Sequence, residues 1–253
     1  LTFDGADVQY VTALDKKSGK TVWKTDRTSV WKDLDPNGQP VREGDMRKGF
    51  TTPIVMKVGD IFELISPGSY GSFAYNALTG EELWKIDAAA YSPACTPLFG
   101  HGLAFLCTGR GAAEFMAVRP DGRGDITGSH IAWKIDGKQV PTEPSPILVE
   151  DLVYIISNDG MLTCLEALTG TKVWNQRIGG TYMASPIYAD GYLYFSSTQG
   201  KTTIIKAGRT YEQVAENRLD AGFMASPAVS GKALYLRTKT DLYCIEVKDA
   251  PKP

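Results

Sequence analysis

The chain has 253 residues, room for one large domain or two small ones, and 43% of them are hydrophobic, enough to build a substantial core. Lys and Arg number 27 against 29 Asp and Glu, a net charge of −2, which excludes a surface built as a whole for nucleic acid or anionic lipid. No run approaches the roughly 18 apolar residues of a membrane span, and the opening Leu1-Thr2-Phe3-Asp4-Gly5 has neither the basic nor the apolar region of a signal peptide.

Taken in chain order, residues 1–27 read as about three strands, with the turn Ser18-Gly19-Lys20 leading to Trp23. The segment 28–50 interrupts this pattern and carries eight charges: Lys32, Asp33, Asp35, Arg42, Glu43, Asp45, Arg47 and Lys48. An insertion of that length is expected either as a lid or partner-contact element or as a solvated loop whose charges pair with each other. Four full units follow, at 51–90, 91–140, 141–180 and 181–222, and a partial unit at 223–247 precedes a tail at 248–253.

A Ser/Thr-Pro pair marks each unit, at Thr52-Pro53, Thr96-Pro97, Ser145-Pro146, Ser185-Pro186 and Ser226-Pro227. Trp23, Trp84, Trp133 and Trp174 close successive units, and Ala215 stands where the next tryptophan is due. The cleanest unit predicts strands at 146–149, 152–157, 161–166 and 172–178, and the next repeats them at 186–189, 192–197, 201–206 and 212–219. Asn158-Asp159-Gly160 supplies the positive-φ residues of a tight hairpin. No segment sustains a helical period, so the chain reads as all-β. A fixed period of about 40 to 50 residues built from four strands points to a β-propeller of four-stranded antiparallel blades.

The stretches Ala13-Leu14-Asp15-Lys16-Lys17-Ser18-Gly19-Lys20-Thr21-Val22-Trp23 and Leu165-Glu166-Ala167-Leu168-Thr169-Gly170-Thr171-Lys172-Val173-Trp174 resemble the signature of the PQQ-type propeller repeat. The resemblance covers nearly the whole chain. It implies that each tryptophan packs between adjacent blades and is structural. It also implies an eight-bladed parent, of which this sequence would be the C-terminal part, with missing blades supplied by the parent chain or another subunit.

In a propeller, the hairpins between second and third strands share one face with the connections that lead into the innermost strands. On that face the expected ligand-binding residues are Arg47, Tyr70, Arg110, Asn158, Tyr182, Gln199, Phe223 and Lys239, polar groups set between aromatic walls. The alternative reading makes them ordinary turn and plug residues. The segment 119–130 is expected to lengthen a hairpin on the opposite face. Its Asp121 and Asp125 lack a full calcium-loop pattern, and its Arg123-Gly124-Asp125 tripeptide is too short to carry an adhesive function. Cys164 and Cys244 hold equivalent places in two repeats and are expected to be buried thiols.

No nucleophile elbow, zinc-protease motif, phosphate loop or dinucleotide fingerprint is present, and His101 and His130 lie in turns without a nucleophile beside them. No catalytic residue and no metal ligand is expected. The resemblance implies two functions. One is a non-enzymatic binding or scaffold propeller of the cell envelope, exported or periplasmic, holding protein or peptide partners as does the PQQ-like lipoprotein of outer-membrane barrel assembly. The other is a quinoprotein dehydrogenase or a fragment of one, with PQQ and calcium on its axis. The second usually carries an adjacent cysteine pair, which is absent here. The first is favoured, with no cofactor, no nucleic acid and no membrane span.

Overall fold

The computed structural model describes residues 1–246, so residue 247 of the last unit and the tail at 248–253 lie outside the described residues. The chain forms two compact units. One comprises Leu1–Thr142 with Glu166–Thr171, the other Glu143–Leu165 with the described residues from Lys172 onward.

The first unit holds three sheets. The first is β1 (Thr2–Asp4), β2 (Gln9–Leu14) and β3 (Thr21–Asp26). The second runs β4 (Ile54–Val58), β5 (Ile61–Gly68), β6 (Gly71–Asn76) and β7 (Glu82–Asp87). The third is β8 (Leu98–Gly100), β9 (Leu103–Cys107), β10 (Glu114–Val118) and β12 (Ile131–Asp136). The intervening β11 (Gly124–Asp125) leaves its own sheet and pairs in parallel with β7, Gly124 opposite Trp84 and Asp125 opposite Lys85.

As expected, the segment 119–130 lengthens a hairpin, that of β10 and β12, with Val118 opposite Ile131 and Arg119 N–H donating to His130 O at 2.9 Å; its pairing with a neighbouring sheet was not foreseen. The segment crosses to the outer edge of the second sheet, because it carries an apolar anchor: Ile126 is 1% exposed and packs with Met56, Trp84, Leu106 and Met116. Backbone hydrogen bonding from Ile126 N–H to Lys85 O at 3.0 Å, and from Asp87 N–H to Thr127 Oγ1 at 2.9 Å, fixes the crossing.

The second unit holds β13 (Ile147–Val149), β14 (Leu152–Ile156), β15 (Met161–Glu166) and β16 (Lys172–Arg177) as one sheet. A second sheet contains β17 (Ile187–Ala189), β18 (Tyr192–Ser196), β19 (Lys201–Lys206) and β20 (Gln213–Arg218). A third has β21 (Ala228–Ser230), β22 (Ala233–Arg237) and β23 (Leu242–Glu246). The strands of the two cleanest repeats start and stop within one residue of the positions expected from β-branched runs and turn residues. The strands β9 and β14 are buried at every position, as continuous apolar runs covered on both faces must be.

Each tryptophan of the repeat stands opposite a small residue: Trp23 faces Ala13, Trp84 Ala74, Trp133 Ala117 and Trp174 Cys164. A β-bulge stands beside it each time, its extra residue (Val22, Leu83, Ala132 or Val173) lying just before the tryptophan on the tryptophan's own strand. In the fifth sheet the volumes are exchanged, with Ile204 facing Ala215. Directly opposed residues share one face of an antiparallel pair, so the larger aliphatic fills part of the space left by the missing indole.

The Ser-Pro pairs also acquire a role. Ser145 N–H donates to Ser185 Oγ at 2.9 Å and Ser185 N–H to Ser226 Oγ at 3.0 Å, so each hydroxyl ties its sheet to the preceding one. Arg27 does similar work in the first unit: it grips both Asp4 oxygens at 2.6 and 2.9 Å and Ser66 O at 3.0 Å, almost wholly out of water. Cys164 is buried as expected, but Cys244 is exposed. Cys164 lies against Trp174 within the core around Tyr154 and Phe195, whereas no described strand lies beyond β23 to cover Cys244.

Candidate functional site

In the first unit the site is built on the β5–β6 hairpin. Tyr70 turns that hairpin with a left-handed φ of 65°, and its backbone is clamped by hydrogen bonds from its N–H to Ala90 O and from Ala88 N–H to its carbonyl. The insertion folds down onto this turn. Trp31 meets Tyr70 edge-on at 6.2 Å, and Arg47 lies 4.8 Å over the Trp31 ring while its Nε donates to both Asp33 oxygens at 3.0 and 3.1 Å. The Asp33 side chain is completely buried.

Thus the charges at 33 and 47 pair internally, and the insertion packs its aromatic ring on the hairpin. Tyr91 flanks Tyr70 at 6.5 Å, and the Tyr70 hydroxyl is buried with no hydrogen-bond partner among the described residues. Burial and the Asp33 charge push its phenol up from the ordinary value. Arg110 pairs its backbone with Tyr91 in both directions, at 2.6 and 3.0 Å, and leaves its side chain on the exposed side.

In the second unit the remaining expected residues form a continuous belt. Tyr182 N–H donates to Asn158 O at 2.9 Å, and Asn158 Nδ2 returns a bond to Tyr182 O at 3.1 Å and another to Glu143 Oε2. Thr181 N–H donates to Gln199 Oε1 at 2.9 Å, and Thr198 N–H to Thr181 O at 2.8 Å. Phe223 N–H donates to Ser197 O, and Phe223 bridges to Thr238, the neighbour of Lys239. Hairpins and connections therefore interlock sheet by sheet. Tyr182 and Phe223 are buried plugs, while Gln199 and Lys239 face solvent. Burial pushes the Tyr182 phenol up to about 12, leaving it neutral.

Two shallow pockets open along this belt. One of about 280 Å³ is lined by Gly179, Gly180, Ser197, Gln199, Lys201 and Arg218. The other, of about 210 Å³, lies among Met224, Ala225, Arg237, Thr238 and Lys239. Sequence reasoning missed Trp31, Asp33 and Glu143, the partners that orient Arg47 and Asn158, because such pairings depend on tertiary contact and have no fixed spacing.

The 119–130 segment offers no metal site: Asp125 accepts both donors of Thr127, and Asp121 stands 3.9 Å from His130. Arg123 reaches the buried Glu63 at 3.3 Å, so the Arg-Gly-Asp tripeptide is tied into the sheet edge. Among the described residues no group of three or more His, Cys, Asp or Glu is placed to hold a metal ion, and the four cysteines are free thiols. Among the described residues no helix is long and apolar enough to cross a membrane.

No curated protein matches the chain. Among solved structures it is similar to BamB from Moraxella catarrhalis, at 18% identity and a TM-score of 0.63, covering 90% of this chain and 64% of that one. It is also similar to the quinohemoprotein alcohol dehydrogenase ADHIIG from Pseudomonas putida HK5, at 18% identity and a TM-score of 0.56, covering 79% of this chain and 40% of that one. The chain thus spans less than two thirds of either relative's length. At this identity the likeness shows the fold, a β-propeller of four-stranded antiparallel sheets. The family model described as outer membrane protein assembly factor BamB matches residues 7–250, and the chain belongs to that family.

Proposed function

We propose that the chain is a non-enzymatic binding propeller of the bacterial cell envelope, exported to the periplasm, that holds protein or peptide partners along the hairpin end of its sheets. The observation that carries this reading is the family match over residues 7–250 to a barrel-assembly factor. The interlocked belt supports it. Aromatic plugs are rigid and buried, while Arg110, Gln199 and Lys239 present polar groups outward, an arrangement suited to recognition. In this proposal the sheets are consecutive blades of one propeller domain within a longer assembly, the other blades coming from the parent chain or another subunit.

The likeness to a quinohemoprotein dehydrogenase sustains the second reading. One experiment separates the two. The purified chain is titrated with a urea-unfolded outer-membrane barrel polypeptide, and separately with PQQ plus calcium while the quinone absorbance is followed. The expected outcome is saturable polypeptide binding, weakened several-fold at low salt by Arg110→Glu with Lys239→Glu, since exposed charges act mainly on association rate. Absent polypeptide binding together with a saturable quinone band and alcohol oxidation would overturn it in favour of the dehydrogenase.

A further inference from the structure

The pocket between Gly179 and Arg218 has the chemistry of an anion site. Gly179 and Gly180 are consecutive left-handed residues, with φ of 65° and 92°. Neither backbone N–H has a hydrogen-bond partner among the described residues. Lys201 lies beside them, its stem largely buried and one ammonium proton given to Ile178 O. An ammonium has three donors, so two remain. Arg218 places its guanidinium on the open side and gives one terminal nitrogen to Glu216 at 3.2 Å. Gln199 accepts Thr181 N–H through its Oε1, which commits that oxygen and leaves its amide N–H groups as donors. Donors are therefore carried by the residues that line a cavity of about 280 Å³, Ser197 among them, between apolar stretches of its wall.

Charge decides the ligand. Two cations face one carboxylate, Glu216, which stands 3.8 Å from Lys201 and 3.2 Å from Arg218. One positive charge is left over. A monoanionic carboxylate neutralises it, whereas a phosphate dianion would leave an excess negative charge beside Glu216. We infer that this pocket binds a carboxylate, supplied by an acidic side chain or the terminus of a polypeptide held on the belt. The inference rests on the binding reading above and names the group that one of its subsites takes.

The test uses the full chain, ¹⁵N-labelled, with the Gly179 and Gly180 amide resonances assigned. It is titrated with N-acetylglutamate amide, its glutamine analogue, inorganic phosphate, and chloride at matched ionic strength. The expected result is a saturable shift of both glycine amides with the glutamate compound alone. Binding should weaken about tenfold in Arg218→Met and in Lys201→Met, the loss of one charge-assisted hydrogen bond. It should tighten in Glu216→Gln, which removes the internal competitor. Arg218 is exposed, so its variant keeps the fold even if that of Lys201 does not. Saturation by phosphate alone, equal response to the glutamine analogue, or no saturable shift would each overturn the assignment. Polypeptide binding that persisted through that failure would leave the scaffold reading standing.

Discussion

Three of the sheet junctions share one design and the fourth departs from it. Trp23, Trp133 and Trp174, each half-buried, donate their indole N–H to a backbone carbonyl of the following turn: Ala77 at 3.1 Å, Ala167 at 2.9 Å and Gly208 at 3.1 Å. At the first two a left-handed glycine lies flat on the ring, where a β-carbon on Gly80 or Gly170 would stand 2.6 Å from it. Trp84 meets no such turn, because the 119–130 excursion replaces it. Its N–H goes instead to the Glu63 carboxylate at 3.0 Å, and β11 runs alongside, leaving the ring fully buried. An indole N–H taken out of water needs an acceptor, and removing the turn shifted that duty to a side chain. The substitute is a charge, and burying it brings Arg123 to the same carboxylate at 3.3 Å.

The largest test of this contrast is a pair of truncations. Trp84→Ala is expected to cost about 3–5 kcal/mol, the range for emptying a fully buried aromatic site. Trp174→Ala should cost about 2 kcal/mol, because part of its ring already faces water. Urea midpoints at fixed m-value report both, and equal losses would erase the distinction. Next, Ile126→Ala should cost about 2–4 kcal/mol, since that buried side chain anchors the excursion in the core around Trp84. A loss below about 0.5 kcal/mol, the scale of a surface change, would show the strand pairing alone suffices.

Glycines sharpen the comparison further. Gly170→Ala combines a left-handed φ of 69° with a β-carbon driven into Trp133, whereas Gly124→Ala, at φ 70°, meets nothing within 4 Å. The first should cost about 2 kcal/mol or more and the second about 1 kcal/mol, the backbone penalty alone. Thermal melts of the two variants separate steric from conformational cost, and indistinguishable melting points would mean that the ring yields.

The regular junctions were legible in the sequence because their parts are local. A turn glycine, a tryptophan four residues on and a Ser/Thr-Pro pair recur along the chain, and period is what a single chain displays. Ala215 was visible as a lapse in that period, though not the compensating bulk of Ile204, since cross-strand register is absent from linear spacing. The 119–130 segment was visible as a lengthened hairpin, though its pairing with the neighbouring sheet was not. Its destination depends on Ile126 finding a neighbouring sheet's core, a choice made by tertiary packing. The candidate site divides similarly. Hairpin and connection residues were placed by topology, whereas Asp33 beneath Arg47 and Glu143 beside Asn158 needed the fold to bring distant residues together.

The smallest expected effect concerns Glu63 and has a definite sign. Burial pushes its carboxyl above the ordinary 4.5, outweighing the hydrogen bond from Trp84 and the charge of Arg123, which act the other way. The folded chain therefore holds this proton where the unfolded chain has released it. Its contribution to stability is complete below the unfolded value and is lost as pH rises through the folded one. Glu63→Gln keeps an acceptor for Trp84 and removes the titration. The variant should gain on the parent as pH rises from about 4 to about 7, read as the difference between paired urea melts, in which the carboxylates common to both chains cancel. Losing the Arg123 contact subtracts little, because that guanidinium is half exposed. A difference constant with pH would mean that Arg123 fully offsets burial. A difference moving in the parent's favour would mean that its attraction prevails, and the fourth junction would then be an ion pair covering a tryptophan.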